Sequence, residues 1–212
     1  MWMTQYCLME SNPDCSLCVH AVKGVNVRNN SIKRFPGFAL ESCLMSSKKF
    51  IKLINKKYSF QTSSYFRRSI DYIDYNTNNP QFSNVLPTGD EAMLLFSALK
   101  GKIVYINKEM SQYNMFTEGS WSSNYDKYSK AEIANWASRY IDGLRAFNVY
   151  SKFKYKKIIN NKIYRLQIYY FYEDDSFKDI FKKVGMRWFL IKHHPKKYLR
   201  CIKKYLLCKR GK

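Results

Sequence analysis

The first 125 residues alternate short apolar runs with amphipathic segments. Apolar runs bounded by turn residues are typical of buried strands, whereas apolar positions three and four residues apart are typical of helices. The pattern predicts strands near 16–22, 59–67 and 102–106, and helices near 47–55 and after residue 88. Alternation of this kind is typical of an α/β fold, with helices covering a sheet.

From residue 126 onward the pattern becomes mainly helical. Ser129 and Glu132 have the spacing of a capping box, and apolar residues after them repeat at helical intervals. Further helices are predicted from Ser176 through Trp188 and, beyond Pro195, over 196–208. The predicted parts are an α/β part over 1–125 and a helical, basic C-terminal extension over 126–212.

One predicted helix of the α/β part has typical capping residues at both of its ends. Thr88 and Glu91 have the three-residue spacing of a capping box, and Gly101 stands where a left-handed glycine commonly ends a helix. Asp90 then lies in the first turn, where the helix dipole stabilises a carboxylate anion that can accept a proton from a hydroxyl group. Acidic residues are also common in first turns for capping alone, so a catalytic and a capping role for Asp90 both stay open.

Short motifs in a fixed order surround this helix. They are residues 12–20, Thr62-Ser63-Ser64 with Phe66-Arg67, Gly89-Asp90, Gly101-Lys102-Ile103, Met110-Ser111-Gln112-Tyr113 and Gly119-Ser120-Trp121. In this order and spacing they resemble the C-terminal half of family 2 glycosyltransferases, over about residues 3–125. The resemblance implies a partial GT-A fold, of which this chain holds the acceptor side.

The resemblance also implies an activity. Family members transfer a sugar from a nucleotide-sugar donor to a glycan or lipid-linked acceptor with inversion, as in the synthesis of surface polysaccharide. Asp90 matches the general base of the family, which takes the proton of the acceptor hydroxyl as the nucleotide diphosphate departs. Thr62, Ser63, Glu91 and Trp121 are then expected on the acceptor side, with Glu91 also acting as a helix cap.

The chain departs from the family at two places. Complete members carry a nucleotide-binding portion and an Asp-x-Asp motif for a divalent cation, Mg²⁺ or Mn²⁺, which stabilises charge on the leaving diphosphate. Here residues 2–10 resemble the helix that follows that motif, while Asn114 and Phe116 stand where the family often has Arg and His. The cation is thus expected for the family although this chain has no ligand motif. The alternative is a non-catalytic remnant, or a partner subunit whose donor half comes from a second chain.

Positive charge is concentrated near the C-terminal end. The formal net charge is +21, and residues 178–212 hold 13 Lys and Arg against Asp179 alone. The last helix places Tyr198, Leu199 and Ile202 on one face and basic residues mostly around the other. Such a helix suits an anionic membrane surface, and the alternative is that it packs its apolar face on the domain.

Other features limit the choice of function. Basic and aromatic residues interleave over 150–157, so a basic nucleic-acid-binding protein is a further alternative. No recognised motif accompanies these residues, and no specific nucleic acid is predicted. The N-terminus lacks a signal-peptide pattern, and apolar runs are shorter than the roughly 18 residues of a spanning helix. Cys15 and Cys18 are interpreted as core thiols of a reducing compartment. We therefore expect a cytoplasmic protein, peripheral on the inner face of the membrane if the basic tail binds lipid.

Overall fold

The computed structural model describes residues 2–37, 41–55, 60–124, 127–172 and 177–210, without the side chains of residues 2, 121, 122, 177, 178 and 204–210. The strands are β1 Cys15–Asn26, β2 Ile32–Phe35, β3 Cys43–Met45, β4 Phe66–Arg67 and β5 Lys102–Met115. The helices are α1 Trp2–Glu10, α2 Ser47–Ile54, α3 Ser69–Asn78, α4 Gln81–Val85, α5 Gly89–Lys100, α6 Trp121–Asn124, α7 Lys130–Tyr150, α8 Lys156–Phe171, α9 Phe177–Lys182, α10 Val184–His193 and α11 Pro195–Arg210.

A mixed sheet lies at the centre of the α/β part. β1 runs parallel to β5 along one edge, while β4 pairs with its first half and β2 with its second half along the other edge, both antiparallel. β3 lies antiparallel against the outer edge of β5. The first eight residues of β1 are all buried, as expected for a parallel strand covered on both faces. The predicted α/β class is confirmed, and the strands predicted at 16–22 and 102–106 are the cores of β1 and β5.

The strand predicted over 59–67 is wrong for most of its length. Thr62–Ser64 forms a 3-10 turn, and only Phe66–Arg67 pairs with β1, while residues 56–59 lie outside the description. Within the turn, the Ser64 hydroxyl donates to the Gln61 carbonyl at 2.7 Å. Serine side chains that bond the local backbone in this way compete with strand pairing, which explains the turn.

Gly101 ends α5 as predicted, but for a different reason. Its φ of −171° is extended and not left-handed. A Cβ atom there would lie 2.5 Å from the Asp14 carbonyl oxygen and 2.9 Å from the Ser16 amide nitrogen. The glycine therefore serves the close approach of the turn between α5 and β5 to the start of β1.

By density of internal contacts the chain divides into two compact units, residues 1–158 and 159–212. In the first unit α7 packs on α4, with the rings of Phe82 and Phe147 5.2 Å apart. The capping box predicted for Ser129 and Glu132 is present at the start of α7. The boundary predicted after residue 125 concerns the extent of a family domain and stays a prediction.

The second unit is helical and has its own small core. Residues of three helices form it, namely Ile168, Phe181, Met186, Phe189 and Leu190. The helix predicted from Ser176 through Trp188 is wrong, because α9 ends at Lys182 and α10 begins at Val184, while Ser176 itself lies outside the description. Gly185 near this break has low helix propensity and packs closely against the Tyr164 hydroxyl. Across the residues that are described, no helix is long and apolar enough to cross a membrane.

Candidate active site at the start of α5

The core holds α5 firmly, so its first turn has a fixed position. Most of the helix interior is buried, including Leu95, Phe96 and Ala98. The Ser16 hydroxyl of β1 donates to the Ser97 carbonyl at 2.6 Å, which ties the helix to the central strand. Side chains of the first turn are therefore presented from a rigid element, as a catalytic group requires.

Asp90 lies in this first turn and is exposed to solvent. Its carboxylate forms no hydrogen bond and no ion pair with any residue in the described ranges. The helix dipole favours negative charge at this position. Asp90 thus has the two properties of a candidate base, namely free lone pairs and access for a substrate hydroxyl.

Glu91 differs from its neighbour because a buried side chain binds it. The Tyr140 hydroxyl of α7 donates to the Glu91 carboxylate, and the Tyr140 ring stacks on Trp136 with a centroid distance of 5.1 Å. The capping box predicted for Thr88 and Glu91 is wrong, since the Thr88 side chain makes no cap hydrogen bond. Its Oγ1 is buried and has no hydrogen-bond partner among the residues described. Glu91 therefore links α5 to α7, and its expected place on the acceptor side stays a prediction.

Tyr65 lies close to both carboxylates, although it was not among the predicted site residues. Burial raises the pKa of its phenol, and the negative charges of Asp90 and Glu91 raise it further. The phenol donates to the Phe60 carbonyl at 2.7 Å. Tyr65 is thus a neutral donor within electrostatic range of the first turn of α5.

Arg67 adds a cation to the same neighbourhood. Its guanidinium lies 4.9 Å from the centre of the Tyr72 ring, within range of a cation–π interaction. Burial lowers the pKa of Arg67, and the neighbouring tyrosines oppose that effect only at a pH where their phenols ionise. Arg67 stays charged at neutral pH, because arginine loses its proton only far above it.

Thr62 and Ser63 are exposed, as expected for residues that contact an acceptor. The two hydroxyls of Ser63 and Ser111 lie 3.1 Å apart, which connects the 3-10 turn to β5. Within the described chain no hydrogen bond joins Thr62 or Ser63 to Asp90. Trp121 begins α6, but its side chain lies outside the description, so its role stays a prediction.

Residues that could ligate a divalent cation are not grouped together in the described ranges. No cluster of three or more His, Cys, Asp or Glu occurs in the part of the chain that the structure describes. Phe116 instead has its ring under the Arg28 guanidinium, 4.9 Å away, and Asn114 accepts from the Gln112 amide at 2.8 Å. The divalent cation stays an expectation that comes from the family resemblance alone.

The cysteines and the histidine of β1 lie in the core, where they are shielded from substrates. Burial raises the pKa of Cys15 to about 11 and that of Cys18 to about 12, so both are protonated thiols at neutral pH. His20 is buried, and its Nδ1 lies 2.8 Å from the Ala21 carbonyl oxygen. These findings agree with the interpretation of all three as core residues.

The candidate site therefore combines one free carboxylate with a tyrosine and an arginine that sequence reasoning missed. Both residues lie in the segment 62–67, of which only Thr62 and Ser63 were predicted as site residues. The helical spacing of the sequence makes Tyr140 a core residue. A buried tyrosine hydroxyl needs a hydrogen-bond partner, and this need was the available signal for its bond to Glu91. No protein-family model, no curated protein and no solved structure matches this chain.

Proposed function

We propose that this chain is the acceptor-side portion of an inverting glycosyltransferase of the family 2 type, with Asp90 as its general base. The donor is a nucleotide sugar, and the acceptor is a hydroxyl group of a glycan or of a lipid-linked glycan in surface polysaccharide synthesis. The proposal rests on the ordered motifs of the sequence and on a partial GT-A interpretation of the α/β sheet.

The observation that carries the proposal is the contrast between two adjacent carboxylates. Asp90 is exposed and unpaired, whereas Glu91 accepts a hydrogen bond from the largely buried Tyr140. A general base needs a free lone pair within hydrogen-bonding reach of the proton that it takes. Only Asp90 of the pair offers one without loss of an existing contact.

The chemistry follows from this assignment. The acceptor oxygen attacks the anomeric carbon on the face opposite the leaving nucleotide diphosphate, and its proton passes to Asp90. The new carbon–oxygen bond forms as the bond to the diphosphate breaks, so the configuration at that carbon inverts. In this scheme Tyr65 and Arg67 have no part in the proton transfer.

The second candidate is a non-catalytic subunit that retains the acceptor half and associates with a second chain carrying the donor half. It is favoured by Phe116, whose ring lies under Arg28 at a position where the family often has a potential metal ligand. In that case this chain alone would not bind the donor.

Calorimetric titration of the purified full chain with a panel of nucleotide sugars, each with Mn²⁺ in excess, distinguishes the two candidates. Saturable binding supports a transferase that forms a donor site alone or as an oligomer. Failure of a folded protein to bind any donor overturns the single-chain enzyme and supports the subunit. Circular dichroism on the same sample establishes that the protein is folded.

A further inference from the structure

The outer face of α10 carries a row of exposed apolar side chains. Val184, Trp188 and Ile191 are 60%, 67% and 40% exposed. They are four and three residues apart, so they lie on one face of the helix. Tryptophan is seldom left this exposed without a partner, because burying its ring is strongly favourable.

The core of the second unit does not use this row. The opposite face of α10 supplies Met186, Phe189 and Leu190 to the core, and Tyr198 and Ile202 of α11 pack against them while partly buried. Of the face of the last helix that was expected to meet a membrane, Tyr198 and Ile202 are thus engaged in packing, whereas Leu199 is 65% exposed. The exposed row of α10 stays available at the surface.

Basic side chains flank the row along the helix. Lys183, Arg187 and Lys192 are all exposed. The one acidic residue of the sequence over 178–212 is Asp179, and Lys182 pairs with it at 2.7 Å. The surface around Trp188 is therefore positive, with little acidic charge near it in sequence.

We propose that the exposed face of α10 is a docking surface for an anionic lipid membrane, with Trp188 entering the headgroup region between Val184 and Ile191. Indole rings favour the membrane–water interface, where the apolar ring is buried and its N–H stays hydrated. Basic residues beside the ring add electrostatic attraction to anionic headgroups. The proposal is independent of the glycosyltransferase assignment.

A lipid surface fits this face better than a nucleic acid does. Phosphates recruit basic residues and unstacked bases recruit aromatic rings, but neither recruits the aliphatic Val184 and Ile191. An apolar row bordered by Lys and Arg is the pattern of an interfacial helix. Binding of nucleic acid to this surface is one of the outcomes that the test below can detect.

The test measures binding of the full chain to vesicles by co-sedimentation. The vesicles contain two parts phosphatidylcholine to one part phosphatidylserine, and pure phosphatidylcholine vesicles are the comparison. We expect binding to the anionic vesicles that weakens at least roughly tenfold when Val184, Trp188 and Ile191 are all replaced by serine. The tryptophan fluorescence of the native chain should shift to shorter wavelength on binding, and this shift should be lost in the triple variant, which lacks Trp188 but keeps the other three tryptophans.

A matched control comes from α3. Ile70 and Ile73 are 66% and 57% exposed and three residues apart on their helix, but Asp71 and Asp74 lie beside them. Replacing Ile70 and Ile73 by serine removes exposed apolar area from a helix on which the carboxylates of Asp71 and Asp74 balance the neighbouring basic charge. We expect vesicle binding to stay unchanged in this variant.

Three results would overturn the proposal. One is equal binding of the native chain to anionic and neutral vesicles, or none to either. Another is undiminished vesicle binding by a triple variant whose circular dichroism spectrum is native. The third is abolition of vesicle binding by duplex DNA at equal phosphate concentration together with equal DNA affinity for native chain and triple variant, which would assign the basic surface to nucleic acid.

Discussion

The two ends of α5 meet the rest of the protein in opposite ways. At the C-terminal end the chain turns at Gly101 directly against β1, the Lys102 amide donates to the Asp14 carbonyl at 2.9 Å, and the Lys102 ammonium pairs with the Asp14 carboxylate at 2.7 Å. At the N-terminal end Asp90 has no partner in the described structure, and Thr88 has a buried hydroxyl without one. The exposed Asp90 carboxylate is hydrated and open to a ligand, whereas the buried Thr88 hydroxyl is a polar group without a partner, as is more often found at functional sites.

The largest expected effect is a loss of transfer activity, caused by a substitution at the N-terminal end of α5. Asp90→Asn removes the proposed base while preserving shape, and should lower transfer by about 10² to 10⁴-fold, the usual contribution of general base catalysis. Glu91→Gln is the matched control and should retain most of the activity. The measurement is release of nucleoside diphosphate with a saturating donor and acceptor, using a complex with the donor-side chain if one is required. Equal loss in the two variants would contradict the assignment of Asp90.

A second pair of variants compares the backbone at the two ends. Gly101→Ala should lower the free energy of unfolding by about 2 to 3 kcal/mol, because its methyl group would collide with backbone atoms of Asp14 and Ser16. Gly89→Ala has nothing within 4 Å of the new methyl group. It should change stability by less than about 1 kcal/mol. Urea denaturation followed by circular dichroism measures the unfolding free energy of both variants. A similar loss of stability in the two would show that the backbone is no more closely packed at Gly101 than at Gly89.

A pH titration tests the burial of β1 beside the C-terminal end. Burial and then the charge of Asp14 raise the pKa of Cys15 to about 11, above the ordinary thiol value near 9. Between these values the folded chain keeps a proton that the unfolded chain releases. Stability therefore falls with rising pH, by about 1.4 kcal/mol for each unit over that interval from this thiol.

Cys15→Ala should make this alkaline slope less steep by that amount, whatever its effect at neutral pH. Cys7 is exposed, and Cys7→Ala should leave the slope unchanged. The measurement is urea denaturation at several pH values between 8 and 11. A slope that is the same in all three proteins would mean that water reaches Cys15 in the folded chain.

The smallest expected effect concerns the bond that distinguishes Glu91 from Asp90. Tyr140→Phe removes the hydroxyl that donates to Glu91 and should cost about 1 kcal/mol of unfolding free energy, the typical net value of one hydrogen bond. Tyr150→Phe on the same helix is the control, since no hydrogen bond is formed by the Tyr150 hydroxyl within the described residues. Thermal unfolding of both variants measures the difference. An equal shift of the unfolding midpoint in the two would mean that the bond between Tyr140 and Glu91 does not stabilise the fold.

The sequence predicted the location of α5 but not its side-chain partners. Local spacing correctly marked a helix that starts after Thr88 and ends at Gly101. The partner of Glu91 comes from Tyr140, 49 residues away, and no local pattern contains that information. Gly101 shows the same limit, because the atoms that require a glycine there belong to a strand more than 80 residues earlier in the chain.

In the second half of the chain, a long hydrophobic repeat predicted its helix more accurately than a short repeat did. The long repeat after Ser129 predicted α7 with its capping box. The shorter repeat after Ser176 missed the break between α9 and α10, because a single glycine changes its spacing very little. The exposure of individual side chains was not predicted, since no pattern in the sequence distinguished the exposed Trp188 of α10 from the partly buried Tyr198 and Ile202 of α11.

The parallel pairing of β1 with β5 also has a consequence for synthesis of the chain. Residues 15–26 pair with residues 102–115, so the central strand has no parallel neighbour until almost 90 further residues have been made. Translation of that length takes of the order of ten seconds, and during this interval an apolar, almost charge-free segment such as 15–22 is prone to associate with other nascent chains. The same strand that organises the finished sheet is therefore open to association with other chains while the protein is being made.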